Sequence, residues 1–199
     1  MKFIIEKRPA QLRISHRVAN RIVVICLTLL SLMGGQNTIA AAPTEYQLKG
    51  AFLFNFAKFI DWPAAAFANN QSPLTLCILG RDPFGRDLDE TVQGQSMGNR
   101  AFSVRRIGQA PRDHSCQILF VSLSESSRFE QIVNAVRNLP ILTVGEDQEF
   151  IRASGMIGFV VEDNKIRFEI NLDVAERAGI KLSSKLLKLA KTVHERSQN

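Results

Sequence analysis

The spacing of apolar and polar residues changes several times along this chain, and each change predicts an element. From Tyr46 to Pro63 (YQLKGAFLFNFAKFIDWP) the apolar residues recur at helical spacing. Leu48, Phe52, Leu53, Phe56, Ala57, Phe59 and Ile60 cover a broad arc, with Gln47, Ala51, Asn55 and Lys58 opposite. Thr44 and Gln47 have the spacing of a capping box, and Trp62-Pro63 closes the helix because proline cannot continue the ladder. Two residues break the pattern. Lys49 falls inside the apolar arc, where a long stem lets the ammonium snorkel past the helix end. Trp62, the only tryptophan, stands at the exit beside Asp61.

Strand and helix patterns then alternate. Leu74 to Leu79 reads as a strand, Gly80 to Gly85 (GRDPFG) as a loop and Arg86 to Val92 as a polar helix. Gly94 to Asn99 is a loop, Phe102 to Ile107 an alternating strand and Pro111 to His114 a turn. Ile118 to Val121 is a continuous apolar strand of the type buried on both faces. Ser124, Ser126 or Ser127 caps a helix from Arg128 to Asn138, with Phe129, Ile132, Val133 and Val136 inward. Ile141 to Val144 is the next strand, and Asp147 starts one helical turn. A hairpin follows: Ile157, Phe159 and Val161 alternate, Asp163-Asn164 turn, and Ile166, Phe168 and Ile170 alternate again. Arg167, Glu169 and Asn171 project to the other face, as a solvated sheet face or as a polar contact surface. Asn171 caps a helix to Ala178, which Gly179 ends. Ser183 or Ser184 caps a last helix with Leu186, Leu189, Ala190 and Val193 inward and Lys185, Lys188 and Lys191 on an outer stripe. These elements predict a single α/β domain: a mixed sheet of about six strands flanked by helices, ending in a β-hairpin and two C-terminal helices.

The first 40 residues change how the composition reads. Residues 1 to 21 hold six Lys and Arg against one acid, Glu6, and the apolar run Ile22 to Met33 follows. Small residues at Ala40, Ala41 and Ala42 complete the pattern of a cleaved signal peptide, residues 1–40, with a domain over 41–199. The apolar run is short for a membrane anchor. Taking those six and one from the chain's 25 basic and 19 acidic residues leaves 19 and 18, so the basic balance belongs to the leader. Nucleic acid is not an expected partner, because no basic surplus remains to neutralise phosphates. Export to an oxidising compartment suits the cysteines. Cys26 lies in the leader, and Cys77 and Cys116 are read first as a disulfide, with two separate buried thiols as the alternative. A bridge across about 40 residues would add ~2–4 kcal/mol.

Candidate chemistry is sparse. His114 and His194 have no visible partners for nucleophilic catalysis, no cluster has metal-ligand spacing, and no glycine-framed nucleophile appears. No catalytic residue, metal or cofactor is expected, and the protein is read as a non-enzyme. The strand, glycine-bearing loop and helix around Arg81, Asp82 and Gly85 match the arrangement that leads into a ligand crevice, but lack the P-loop ending and the dinucleotide spacing. The loop is either structural or the site of a small-molecule sensor.

Five ordered blocks, KGAFLFNFAKFIDWP (49–63), LCILGRDPFG (76–85), CQILFVS (116–122), GMIGFVVEDNKIRFEIN (155–171) and AGIKLSSKLLKLA (178–190), resemble the recurrent blocks of the YfiR family. The resemblance implies a periplasmic α/β domain that represses a membrane-bound diguanylate cyclase by binding its periplasmic region. It also implies release by an outer-membrane lipoprotein or by redox change at disulfides. Cys77 and Cys116 match a family cysteine pair, whereas the second pair that some relatives carry near residues 151–158 is absent here. On this reading Arg167, Glu169 and Asn171, with Lys49 and Trp62, form or border the cyclase-binding surface. A homodimer is left open, and a periplasmic small-molecule-binding module with another signalling partner is the alternative.

Overall fold

The computed structural model describes residues 42–195, so the expected signal peptide and Cys26 lie outside the described residues. The first helix, α1 (Glu45–Ala57), opens on the predicted capping box. The Gln47 amide donates to Thr44 Oγ1 (3.2 Å) and the Thr44 amide donates to Gln47 Oε1 (2.8 Å), satisfying two of the free donors of the first turn. The helix stops at Ala57, five residues before the expected end at Trp62-Pro63. Ile60–Asp61 instead form strand β1, paired antiparallel with β9 (Lys181–Leu182), and the Ser183 amide donates to the Phe59 carbonyl at 2.9 Å. Pairing with a segment far along the chain overrides helical spacing at Phe59 and Ile60.

The main sheet has eight strands rather than six, in the order β10-β8-β7-β6-β5-β2-β4-β3. Here β2 is Leu74–Leu79, β3 Ser96–Met97, β4 Arg100–Ile107, β5 Ile118–Val121, β6 Leu142–Glu146, β7 Ile157–Glu162, β8 Lys165–Asn171 and β10 Thr192–His194. Strands β4, β2, β5, β6 and β7 are parallel neighbours, whereas β8 runs antiparallel to β7 and β3 antiparallel to β4. The expected loop at 94–99 thus contains an edge strand.

Alternation within the central strands divides the interior into two cores. Leu76, Ile78, Ile118 and Phe120 face α1, α2 (Arg86–Val92), α5 (Leu172–Arg177) and α6 (Ser184–Leu189). Cys77, Leu79, Leu119 and Val121 face α3 (Phe129–Val136) and α4 (Gln148–Arg152). A fully buried strand needs apolar residues on both faces, which is why LTLCIL and ILFV are continuous apolar runs. In the first core Phe56 lies 5.0 Å from Phe168 and 5.8 Å from Phe159, ring centre to ring centre. These contacts fasten α1 to the hairpin.

Two further expectations are corrected. Ser122, not Ser124 to Ser127, caps a 3-10 turn over Leu123–Arg128, and α3 begins only at Phe129. The last helix ends at Leu189, after which the chain extends as β10 beside β8. Val193 is therefore a strand residue and Leu189 is exposed. Lys191 is no part of a helical stripe: its amide donates to the Phe168 carbonyl (2.8 Å) and its ammonium to Glu162 (2.9 Å).

Candidate partner-binding surface

Lys49 is only 4% exposed and points inward. Its Nζ lies 2.5 Å from Oε1 of Glu146, which is 3% exposed, and 2.5 Å from Oε1 of Glu45 one turn earlier on α1. Snorkelling is thus not what the helix does with this lysine. Glu146 is the last residue of β6, so the pair ties α1 to the end of a central strand. Burial pulls the Lys49 pKa down, but the hydrogen bonds from Glu146 and Glu45 outweigh it and the net shift is upward. The Tyr46 ring lies 4.8 Å from the ammonium, and burial together with the Glu146 charge raises the Tyr46 hydroxyl pKa. The cluster is a packed ionic anchor, closed to solvent on the Lys49 and Glu146 sides. Glu146 was visible in the sequence only as an acid closing an apolar strand.

At the hairpin, Asp163 and Asn164 both take positive φ (49° and 56°), as a two-residue turn matched to strand twist requires. The three polar residues expected to share its outer face have separate roles. Arg167 is exposed. Glu169 is 8% exposed, and its Oε2 lies 3.0 Å from His194 Nε2 on β10. Asn171 caps α5, its Oδ1 accepting from the Val174 amide at 3.4 Å. Strand β10 covers β8 from Glu169 to Asn171 and leaves the tip of the hairpin beyond it. At that tip Val161, 60% exposed, continues the apolar row of Ile157 and Phe159 out of the core. Leu189, 61% exposed, lies two residues before Lys191, whose two bonds hold it against Phe168 and Glu162. Sequence reasoning missed Leu189 by assigning it inward, and read Val161 as core because its alternation is unbroken.

Trp62 is half-buried at a different place. It lines a cleft of about 650 Å³ with Asp61, Lys58, Phe67 and Arg100, and its buried indole Nε1 has no hydrogen-bond partner. Arg100 stacks on Phe67 at 3.7 Å and donates to the carbonyls of Asn69 (2.9 Å) and Ser72 (2.7 Å). None of the hairpin residues borders this cleft. The five residues expected to form one surface are therefore not brought together.

The Arg81, Asp82 and Gly85 loop sits where strand order reverses beside β2, the usual place for a ligand crevice. Its polar groups are engaged within the fold. Asp82 Oδ1 accepts from the Phe84 (2.8 Å) and Gly85 (3.3 Å) amides, and Oδ2 accepts from Arg106 Nε (2.9 Å). Arg106 also donates to the Gly85 carbonyl (2.9 Å) and to both oxygens of Asp89 (2.6 and 2.8 Å), which holds the Asp89 carboxyl below its usual range. The Arg81 amide donates to Ser124 Oγ (2.9 Å), and a Cβ on Gly80 would meet that oxygen at 2.5 Å, so the β5 side of the crevice is filled. The Arg81 side chain is exposed.

Cys77 and Cys116 form a disulfide, with Cα atoms 5.8 Å apart, buried in the second core. Among the described residues, no group of histidine, cysteine and acidic side chains has the arrangement of a metal site, and no helix is long and apolar enough to cross a membrane.

Compared with known proteins, residues 46–191 match the family described as YfiR/HmsC-like. Among solved structures, the chain is similar to one titled as the ABC domain in complex with L-Trp, from Streptococcus pneumonia, at a TM-score of 0.44 and 12% identity. That match covers 61% of this chain and 55% of the other, so this chain spans about half the length of that relative, and the likeness is too slight to carry an argument.

Proposed function

This chain belongs to the YfiR/HmsC-like family, a family of periplasmic regulators of diguanylate cyclase signalling, and from that premise we propose that it binds the periplasmic region of a membrane diguanylate cyclase and restrains cyclic di-GMP synthesis. In this proposal residues 1–40 are removed on export and the remainder acts in the periplasm.

The observation that carries the contact is the hairpin tip. Val161 is a large apolar residue left mostly in water at the end of a strand pair fastened to the core by the Phe56, Phe159 and Phe168 rings; Arg167 is exposed on the opposite face of that pair, and Leu189 is exposed at the end of α6. Large apolar side chains left in water, and an exposed arginine near the same hairpin end, are features that a partner surface can use. Glu169 and Asn171 act behind this surface: the first holds β10 through His194, the second caps α5.

The test has two arms. Deleting the gene and restoring it as wild type, Val161→Asp or Arg167→Glu, with cellular cyclic di-GMP as the readout, examines the regulatory role. A rise on deletion reversed only by wild type is the expected result, and an unchanged level on deletion overturns repression. Direct binding of each purified variant to the cyclase's periplasmic region examines the contact. Variants that melt like wild type yet bind as well as it does would move the contact away from the hairpin tip.

A further inference from the structure

We infer that the cleft between the C-terminal ends of α3 and α5 is a binding site for a small organic oxyanion, a carboxylate or phosphate ester carrying an apolar group. The inference is independent of the cyclase reading, since no hairpin residue borders this cleft.

Arg137, the C-cap of α3, and Arg177, the last residue of α5, line the same cavity of about 420 Å³. Among the described residues, neither guanidinium has an ion pair or side-chain hydrogen bond. Other arginines are engaged, Arg86 with Glu90, Arg106 with Asp82 and Asp89, Arg128 with Glu125, Arg152 with Glu149, and Arg100 with two carbonyls, whereas Arg81, Arg112 and Arg167 are also without such a partner among the described residues; what sets Arg137 and Arg177 apart is that they line one cavity. No residue lining the cavity is acidic. Both arginines are exposed, so their mutual repulsion is weak in water, but an anion seated between them would meet both charges.

The shape of the site narrows the ligand. Guanidinium groups bind carboxylate and phosphate oxygens in pairs. Asn134, one turn before Arg137, and Ser154, in a turn with φ 69°, add neutral polar side chains at the wall. Val133 and Val174, each buried in a different core, add apolar side chains to its wall. The volume falls in the range of small-molecule sites, and a bare inorganic anion would leave most of it unfilled. Each arginine stands at a helix C-terminus, where the free carbonyls offset roughly half a charge. The site therefore holds about one net positive charge.

The probes are inorganic phosphate, phenyl phosphate and benzoate, titrated calorimetrically into the domain and into Arg137→Ala, Arg177→Ala and, as a control outside the cleft, Arg86→Ala. Phenyl phosphate or benzoate should bind wild type and the control alike, and each cleft variant should weaken that binding by roughly tenfold or more. Binding of phenyl phosphate alone assigns the site to phosphate esters, and binding of benzoate alone to carboxylates. Inorganic phosphate binding as tightly as phenyl phosphate would overturn the apolar part of the inference. No binding of any probe at concentrations of order 10 mM, or equal binding by variants with wild-type melting, would overturn the site itself.

Discussion

Replacing Lys49 with methionine tests whether the ionic anchor between α1 and β6 is an element of stability. Methionine keeps most of the stem and removes the charge, leaving the Glu146 carboxylate 3% exposed and without its cation. Breaking one side of a buried pair costs about 3–5 kcal/mol, because the remaining charge is desolvated and uncompensated. Glu45 adds little to that cost, since its half-exposed carboxylate returns to water. For a domain of this size each kcal/mol lowers the melting temperature by about 2–4 °C, so the expected loss is roughly 6–20 °C. A second change, Glu146→Met, removes the orphaned charge, and the double variant should recover most of the loss. The pH dependence has a definite sign. The folded-state pKa of Lys49 is raised, so the pair contributes fully below the ordinary lysine pKa and is lost only as pH rises through the raised value. The gap between wild type and Lys49→Met should therefore be flat across neutral pH and close in strong alkali. Scanning calorimetry of the exported protein with its disulfide intact measures each quantity. A loss below about 1 kcal/mol, or a double variant no more stable than the single one, would refute the reasoning.

Three further outcomes follow from the same structure. Replacing both Cys77 and Cys116 with alanine opens a crosslink of sequence separation 39 and should cost up to about 4 kcal/mol, read from urea unfolding; an unchanged midpoint would show that the bridge adds no stability. Gly145→Ala would set a Cβ 2.3 Å from the Phe150 ring, so a loss of about 1–3 kcal/mol is expected, relieved in part when Phe150 is also reduced to leucine; a wild-type melting curve for Gly145→Ala would contradict the packing. Glu169→Lys places a cation against His194 at a buried position and should lower thermal stability and loosen β10, seen as faster amide exchange at Thr192 to His194; unchanged exchange would mean that Glu169 does not hold that strand.

The elements that the sequence revealed are those whose cause is local. The capping box at Thr44 and Gln47, the doubly buried strands LTLCIL and ILFV, and the Asp163-Asn164 hairpin each depend on residues a few positions apart. The cysteine pair was the first reading for a different reason, since Cys77 and Cys116 are the two cysteines outside the expected leader, but that they meet depends on β2 lying beside β5. Where local spacing misled, a distant partner had intervened. Phe59 and Ile60 continue a helical arc in sequence, but β9 draws Ile60 into strand β1 and leaves Phe59 in the turn before it. Val193 completes an amphipathic helix on paper, but the open edge of β8 captures it.

The candidate site was less legible than the fold. Arg167 is where alternation put it, on the surface, but Glu169 beside it on the same face is buried, because β10 covers that half of the strand and its neighbour does not. Lys49 looked like a snorkelling cation because its acid lies 97 residues away, and no periodicity spans that interval. Arg137 and Arg177 belong to separate helices and no sequence pattern singles them out; only the approach of α3 and α5 makes them line one cavity. The sequence by itself determined the alternation of strand and helix, the burial of Ile118 to Val121 on both faces and the hairpin, since these follow from short-range periodicity. The tertiary structure alone decided which charges are paired, which apolar residues stay in water and which basic residues face one another, because each depends on contacts between segments whose approach is set by packing of the whole domain.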